Sequence, residues 1–320
     1  MHRVCFICRR ETELTSEHII PQCLGGVLTA PLYCAECNGA CGHEIDIELA
    51  NHFGRYATLL CIRREHGDNQ PFEIHVEESG LRLRCDGRSL FRVRPDVRIE
   101  KDSDGTLTEA EIIARSEREF RTIFKGIGRR YNIEPNIGAI EPEANPAPTA
   151  AYHEFVIDNE LIRRAVAKIA YGFACVRLPA DSVLAEEFNA VRNFIRGRFA
   201  ARIASANYVA GDFMVDNHRP LHKIHLRLER KNQILVGYVA LFGTFRYTVL
   251  LAEGLRTDVE WPGIDYTYNP VTQQEVLGND NFLAPSIGRE CVIAPRNSQQ
   301  QVLQALERGQ NMIAEHSPAI

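Results

Sequence analysis

Two C-x2-C pairs near the N-terminus have the spacing of a metal site. Cys5 and Cys8 form the first pair, and Cys34 and Cys37 form the second after 25 intervening residues. A two-residue turn brings each pair to one side of an ion, so that four thiolates can converge tetrahedrally on Zn²⁺. The alternatives are two coincidental cysteine pairs or a redox C-x-x-C. Cys41 lies four residues after the last ligand and could replace one of them if the second pair begins a helix.

A glutamate and a histidine stand side by side between the cysteine pairs, in the stretch SEHIIP at residues 16–21. Neighbouring residues on a strand point to opposite faces, so Glu17 and His18 can serve one small site only if the backbone bends there. Pro21 favours a bend, because proline has no N–H to donate and ends regular strand pairing. We therefore predict two functional groups presented by a bent strand end.

The order of these motifs resembles the HNH endonuclease family, in its zinc-knuckle branch. CFIC is followed by SEHIIPQCLGG and then by LYCAECNGACGHEID. These stretches give a C-x-x-C, an acidic residue and a histidine before a hydrophobic pair and proline, a Gly-Gly turn, and a C-x-x-C-N. The resemblance covers about residues 3–50. It implies a ββα-metal fold, in which a hairpin and a helix enclose a catalytic divalent ion.

The resemblance also implies a role for each polar residue. His18 would be the general base that takes a proton from water, and histidine suits this role because its unperturbed pKa is about 6.5. Glu17 and Asn38 would bind Mg²⁺ or Mn²⁺, since hard ions prefer oxygen ligands. Asp46, two turns along the helix from Asn38, is a further candidate ligand, with a solvated charge on the helix surface as the alternative.

Two positions depart from the family pattern. The family's middle asparagine should fall near residue 29, where Thr29 is the only polar candidate. The position one turn along the helix from Asn38, which holds a second ligand in many relatives, is Gly42. His43 is expected to face solvent. The departure near Thr29 and the excess of acidic over basic residues in residues 1–70 favour a zinc module without catalytic activity, whereas Glu17, His18 and Asn38 favour catalysis.

The pattern of helices and strands expected around these residues predicts an α+β fold class. A small N-terminal ββα-metal domain is followed by a larger mixed α+β domain, and 320 residues suffice for two or three domains. The predicted segments are 1–66 (nuclease domain with structural zinc), 71–133 (strands and a basic helix), 134–150 (linker or long loop) and 151–320 (accessory or regulatory domain).

A basic helix is predicted from Thr108 to about Tyr131, because Thr108 and Glu111 form a capping-box signature. Its cations recur every three or four residues and form one stripe: Arg115, Arg118, Arg121, Lys125 and Arg129. Such a stripe fits a phosphate backbone, and a solvated helix face is the alternative.

The C-terminal part is predicted to contain three helices and, from Lys223 onwards, three strands. The helices are 159–176, with Asp158 as N-cap, 181–196 and 298–315. His222 and His225 lie three residues apart in a strand, which places them on different faces, and both are expected at the surface.

Composition limits the classes of function. The net charge of −5 gives no global positive field that would attract nucleic acid. No apolar run has the length of a membrane span, the N-terminus does not read as a signal peptide, and ten cysteines then argue for metal or free thiols. A cytoplasmic protein without membrane contact is expected.

The function predicted from these observations is metal-dependent hydrolysis of DNA phosphodiester bonds. At the level of the family, a regulated bacterial nuclease in a defence or mobile-element context is expected, with DNA as partner and a protein partner or homo-oligomer as a further candidate. The alternatives are a non-catalytic zinc module that binds nucleic acid or protein, and an RNA endonuclease.

Overall fold

The computed structural model describes residues 3–64, 67–76, 81–114, 116–132, 156–198, 202–208, 219–255, 263–276 and 289–316. The chain forms two compact units, one of residues 1–70 and 155–317 and the other of residues 71–154 and 318–320. The N-terminal segment with the cysteine pairs therefore shares a unit with most of the C-terminal residues. The four predicted segments stay a prediction, and the predicted linker at 134–150 lies outside the described residues.

Within residues 3–64, two short antiparallel hairpins precede the first helix. β1 (Arg3–Val4) pairs with β2 (Glu11–Thr12), and β3 (Thr15–His18) pairs with β4 (Thr29–Tyr33). A 3₁₀ turn lies between β3 and β4. The second hairpin carries the SEHIIP stretch, as the resemblance implied.

A long helical segment follows β4 and carries the second cysteine pair. α1 (Ala35–Cys41) continues through a π-helical turn (Gly42–Asp46) into α2 (Ile47–Leu59). Cys34 is the N-cap of α1, and its side chain accepts a hydrogen bond from the backbone N–H of Cys37. A π-helical turn takes up more residues than an α-helical one and is frequent at functional sites.

The second unit contains short antiparallel strands and one helix in its described residues. The strands are β5 (Phe72–Val76), β6 (Leu81–Cys85), β7 (Leu90–Arg92), β8 (Asp96–Lys101) and β9 (Leu107–Ile113). β5, β6 and β7 form one sheet in that order, and β8 pairs with β9. α3 (Glu117–Tyr131) follows β9.

The prediction that a helix begins at Thr108 is wrong. Thr108 lies in β9, and the N-cap of α3 is Ser116, whose side chain accepts a hydrogen bond from the N–H of Glu119. The reason is a hairpin turn between β8 and β9. Asp102 Oδ1 accepts backbone N–H groups within this turn, and Gly105 adopts the left-handed φ of 82° that the turn requires.

The rest of the first unit consists of helices and an antiparallel sheet. The helices are α4 (Glu160–Arg177), α5 (Ala180–Leu184), α6 (Asn189–Ile195), α7 (Arg289–Ile293) and α8 (Gln299–His316). The strands are β10 (Ala204–Ala206), β11 (His222–Glu229), β12 (Ile234–Leu241), β13 (Phe245–Glu253), β14 (Ile264–Asn269) and β15 (Gln274–Glu275). Their order across the sheet is β10-β13-β12-β11-β14-β15.

Most elements predicted for this part are confirmed. The predicted helices 159–176 and 298–315 correspond to α4 and α8, and the three predicted strands correspond to β11, β12 and β13. The predicted helix 181–196 is interrupted by a 3₁₀ turn at Glu186–Phe188. In the described part of the chain, every helix is too short or too polar to cross a bilayer.

α4 lies between the sheet and the N-terminal helices. Its N-cap is Asn159, not the predicted Asp158. It packs against β12 and β13 as well as against α2 and the π-helical turn. The predicted apolar face is buried: Ile162, Val166, Ile169 and Phe173. Arg164 and Lys168 on the same helix are buried too, so α4 is a core element that keeps two charged side chains away from water.

The prediction that His222 and His225 lie at the surface is wrong. Both are buried, because β11 is covered on both faces. Side chains that point to either face of this strand are therefore shielded from solvent. The His222 ring hydrogen-bonds the carbonyl oxygen of Leu24 at 2.9 Å and the N–H of Phe242 at 3.2 Å. His225 Nδ1 pairs with Asp265 Oδ1 at 2.5 Å.

Candidate active site

Four cysteine thiols form a cluster of the size that a zinc ion requires. The Sγ atoms of Cys5, Cys8, Cys34 and Cys37 all lie within 4.8 Å of one another. In a tetrahedral site with Zn–S bonds of about 2.3 Å, neighbouring sulfurs are about 3.8 Å apart, and the Cys8 and Cys34 sulfurs are 3.9 Å apart. The donor set therefore fits a structural Zn²⁺. Cys41 lies outside this cluster, and burial raises the pKa of its thiol to about 12.

Hydrogen bonds favour the thiolate form in part of this cluster, although burial raises the pKa of Cys5 and of Cys37. The backbone N–H of Cys37 donates to Cys34 Sγ at 3.4 Å, and the N–H of Cys34 donates to Cys5 Sγ at 3.3 Å. Burial acts to raise the pKa of Cys8, but hydrogen bonds from Arg10 act against it and the pKa falls to about 6. A thiol that ionises near neutral pH is a ready metal ligand.

The strand that carries Glu17 and His18 ends at the histidine. β3 is irregular between Thr15 and Ser16, where its pairing with β4 shifts register. After His18 the chain leaves the strand, and Pro21 is the N-cap of the 3₁₀ turn that follows. Glu17 and His18 consequently line the same pocket, although neighbours on a regular strand would point to opposite faces.

Two glycines bring the hairpin loop against the end of β3. Gly25 adopts a φ of 87°, which only glycine takes up without strain. A Cβ atom on Gly26 would lie 1.9 Å from the carbonyl oxygen of Ile20. Glycine is thus required at position 25 by the backbone conformation and at position 26 by the close contact with the backbone of Ile20.

A pocket of about 330 Å³ lies between the end of β3 and the π-helical turn. Its lining residues are Glu17, His18, Pro21, Gln22, Cys23, Gly42, Asp46, Ile47 and Ala50. Three of the candidate catalytic and metal-binding residues predicted from the sequence meet here: Glu17, His18 and Asp46. The π-helical turn supplies Gly42 and Asp46, its first and last residues. The pocket therefore holds two carboxylates and an imidazole.

Asn38 is not among the residues that line this pocket. Its side-chain amide donates to Thr15 Oγ1 at 2.9 Å and to the carbonyl oxygen of Ser16 at 3.3 Å, which holds α1 against β3. Thr29 is exposed and pairs with His18 through the backbone of the hairpin. His43 is exposed, as expected.

The sequence interpretation missed Lys168, which reaches the two pocket carboxylates from α4. Lys168 Nζ pairs with Glu17 Oε1 and lies 2.5 Å from Asp46 Oδ2. Burial raises the pKa of Glu17, and Lys168 acts against this rise. Burial alone would lower the pKa of Lys168, but Asp46 and Glu17 outweigh it and the pKa is raised. We infer a charged lysine between two carboxylates.

Further residues of α4 contact the N-terminal segment along the same face. Arg164 forms two hydrogen bonds with Glu44, at 2.7 and 2.9 Å, and the Tyr171 hydroxyl donates to the carbonyl oxygen of Phe6 at 2.8 Å. Arg164 and Lys168 are one helical turn apart within the run RRAVAKIAYGFAC. Two cations one turn apart in an otherwise apolar helix are the sequence signal that could have predicted these contacts, because buried charges need charged or polar partners.

The predicted basic stripe lies on α3, in the second unit. Four of its members are exposed and are called the basic stripe from here on: Arg118, Arg121, Lys125 and Arg129. Arg121 pairs with Glu117 one turn earlier. The fifth predicted member, Arg115, lies outside the described residues.

A hairpin and a helical segment flank a pocket that is lined by an adjacent glutamate and histidine, and the same segment holds a four-cysteine cluster that fits zinc. Residues 5–54 match the family model described as HNH endonuclease, so the N-terminal segment is an HNH domain, as the resemblance implied. HNH nucleases act on nucleic acids and generally use a divalent metal, so the match indicates nuclease activity in general. No curated protein and no solved structure matches the chain.

Proposed function

We propose that this protein is a metal-dependent endonuclease that hydrolyses DNA phosphodiester bonds. One observation carries the proposal: Glu17, His18 and Asp46 line a single pocket inside the segment that matches the HNH family. An imidazole beside two carboxylates supplies a base and oxygen ligands at one place, and these are the groups that metal-assisted phosphodiester hydrolysis needs.

The donor atoms in the pocket fit a hard divalent ion. Asp46 Oδ1 is buried and, among the described residues, accepts no hydrogen bond. A buried carboxylate oxygen without a partner is costly unless a cation or water satisfies it. Glu17 and Asp46 would hold Mg²⁺ or Mn²⁺, and Asn38 remains the ligand that the family implies. When bound, such an ion stabilises the charge that develops on the scissile phosphate.

His18 is the residue that would move the proton. It lies at the end of β3, half-buried and within the pocket. A neutral imidazole accepts a proton from the attacking water while the water oxygen bonds to phosphorus and the bond from phosphorus to the leaving oxygen breaks. A positioned general base of this kind contributes about 10²- to 10⁴-fold in rate.

DNA is the substrate that we propose. Because the net charge is −5, attraction of DNA phosphates must come from local groups of cations. The basic stripe supplies four exposed cations on one helix. A defence or mobile-element context, a protein partner and a homo-oligomer stay predictions.

A non-catalytic zinc module is the second candidate, and two observations favour it. The Asn38 amide is bonded to β3, and Glu17 is paired with Lys168, so two of the implied ligands already have partners within the protein. Such a module would bind nucleic acid without cutting it. Cleavage assays separate the two candidates.

The deciding experiment is cleavage of supercoiled plasmid and of a single-stranded RNA, each with Mg²⁺ or Mn²⁺. Wild-type protein is expected to cut the plasmid, and His18→Ala to lower the rate by about 10²- to 10⁴-fold while retaining DNA binding. His43→Ala is the matched control, because His43 is exposed and outside the pocket. Equal cleavage by wild type and His18→Ala would refute the proposal. Cleavage of RNA alone would replace DNA with RNA as the substrate.

A further inference from the structure

Lys168 is the buried cation of the candidate active site. Its side chain is 2% exposed and lies in the middle of α4. Its Nζ atom contacts one oxygen of Glu17 and one oxygen of Asp46 at the same time. Both carboxylates line the pocket, whereas Lys168 is not among the lining residues. The lysine therefore contacts both carboxylates without lining the pocket itself.

We propose that Lys168 is a positioning residue of the nuclease site, which fixes Glu17 and Asp46 in the orientation that binds the divalent ion. The proposal rests on the proposed function, because it assigns those two carboxylates to the ion. Lys168 acts through them and touches neither the ion nor the nucleic acid.

The geometry at Asp46 supports this role. Lys168 takes up Asp46 Oδ2, and Asp46 Oδ1 is the buried oxygen that accepts no hydrogen bond in the described part of the chain. Lys168 thus holds one oxygen of Asp46, and the other oxygen keeps an unused acceptor. Residues that hold metal ligands in this way are commonly worth about 10- to 100-fold in metal affinity or activity.

The charges at the site also support it. Glu17 is 7% exposed and the Asp46 side chain is 18% exposed, so a buried and a partly buried carboxylate line one pocket. Without Lys168 the two carboxylates would repel each other, and one of them would turn away. The ammonium group removes this repulsion and keeps both carboxylates in place before any ion binds.

The position of Lys168 in the chain makes the site composite. The HNH match ends at residue 54, and Lys168 belongs to α4, which also packs against β12 and β13. The orientation of the two pocket carboxylates consequently depends on a helix that also packs against the sheet. The matched segment alone lacks one of the charged groups of its own active site.

The test compares Lys168→Met and Arg164→Met in the full-length protein. Both variants remove a buried cation from the same face of α4, but the partner of Arg164 is Glu44, which does not line the pocket. Mn²⁺ affinity is measured by electron paramagnetic resonance of the free ion, and plasmid cleavage is measured in parallel. Lys168→Met is expected to weaken Mn²⁺ binding and cleavage by about 10- to 100-fold. Arg164→Met is expected to leave both within about threefold, and Lys168→Arg, which keeps a cation, to recover most of the affinity.

Three results would overturn the proposal. Unchanged Mn²⁺ affinity in folded Lys168→Met would show that the carboxylates hold their orientation alone. Tighter Mn²⁺ binding would show that Lys168 competes with the ion. An equal loss in both methionine variants would show general destabilisation. If Lys168→Met does not fold, Lys168→Gln takes its place under the same criteria. If wild-type protein cuts no nucleic acid, the proposed function fails, while the comparison of Mn²⁺ affinities still decides the role of Lys168.

Discussion

Replacing His222 with glutamine is expected to make the protein less sensitive to acid. His222 is fully buried, and its Nδ1 accepts the N–H of Phe242, so Nε2 carries the proton and donates to the carbonyl oxygen of Leu24. Protonation would place a second N–H against the N–H of Phe242. Burial accordingly lowers the pKa of His222 from 6.5 to about 4.

The size and sign of the effect follow from this shift. A pKa that is lower in the folded state means that the unfolded chain binds more protons, so stability falls as the pH falls. The contribution of His222 to the free energy of unfolding is fully present above a pH of about 6.5 and is lost as the pH falls towards 4. A shift from 6.5 to about 4 corresponds to about 3 kcal/mol in total, of which about 1 kcal/mol is lost between pH 7 and about pH 5.5.

Urea unfolding at these two pH values, with the zinc concentration held constant, measures the difference. The wild-type free energy of unfolding should fall by about 1 kcal/mol more than that of His222→Gln, because glutamine keeps a donor for Leu24 but does not titrate. His43→Gln, at an exposed position, should behave like wild type. An equal fall in wild type and His222→Gln would refute a neutral, buried His222.

Three further predictions concern metals and nucleic acid. Chelation of zinc, or Cys34→Ser, is expected to unfold the N-terminal hairpins, because zinc binding and folding are coupled. Circular dichroism measures this unfolding. Metal analysis of the wild-type protein should find about one Zn²⁺ per chain. Glu17→Gln and Asp46→Asn should each raise the Mn²⁺ concentration needed for half-maximal cleavage by about tenfold or more, whereas His18→Ala should leave it unchanged. Replacing the basic stripe with glutamines should weaken binding to DNA of any sequence and reduce the salt slope in fluorescence anisotropy, by about 0.9 for each phosphate that the helix no longer neutralises.

Each of these predictions has a contrary result. Protein purified without chelator that contains no zinc would contradict the four-thiolate site. Rescue of His18→Ala by excess Mn²⁺, without rescue of Glu17→Gln, would exchange the roles of base and ligand. An unchanged salt slope would show that the basic stripe is a solvated helix face.

The parts of the site that are close together in sequence could be predicted from it. Each cysteine pair is closed by its own two-residue turn, and the bend at SEHIIP follows from a proline three residues after the histidine. The same is true of the Gly-Gly turn, where Gly26 contacts a residue only six positions earlier. Local backbone rules decide all of these features.

The parts that depend on distant residues could not be predicted. Lys168 and Asp46 are 122 positions apart, and His222 and Leu24 are 198 apart. Periodicity along α4 indicates which side is apolar, but it does not reveal that the opposite side is covered as well. A buried lysine within an apolar helix predicts an acidic partner without identifying it.

The error at Thr108 has a different cause. The spacing of Thr108 and Glu111 fits a helix N-terminus, and the same residues also fit a strand that follows a turn at Asp102–Gly105. Pairing with β8 decided between the two, because an antiparallel partner satisfies the backbone groups that the capping box would otherwise satisfy.

The position of α4 also fixes when the proposed active site can form during synthesis of the chain. The four clustered cysteines and both pocket carboxylates precede residue 50, whereas Lys168, the buried cation that contacts the carboxylates, follows 122 positions after Asp46. Translation adds about 5–20 residues per second, so the carboxylates leave the ribosome several seconds or more before Lys168. A nascent chain that ends before α4 already contains the four cysteines that fit zinc, but it lacks the lysine that contacts Glu17 and Asp46. In the growing chain, all four cysteines of the cluster are therefore present before the site proposed to cut nucleic acid is complete.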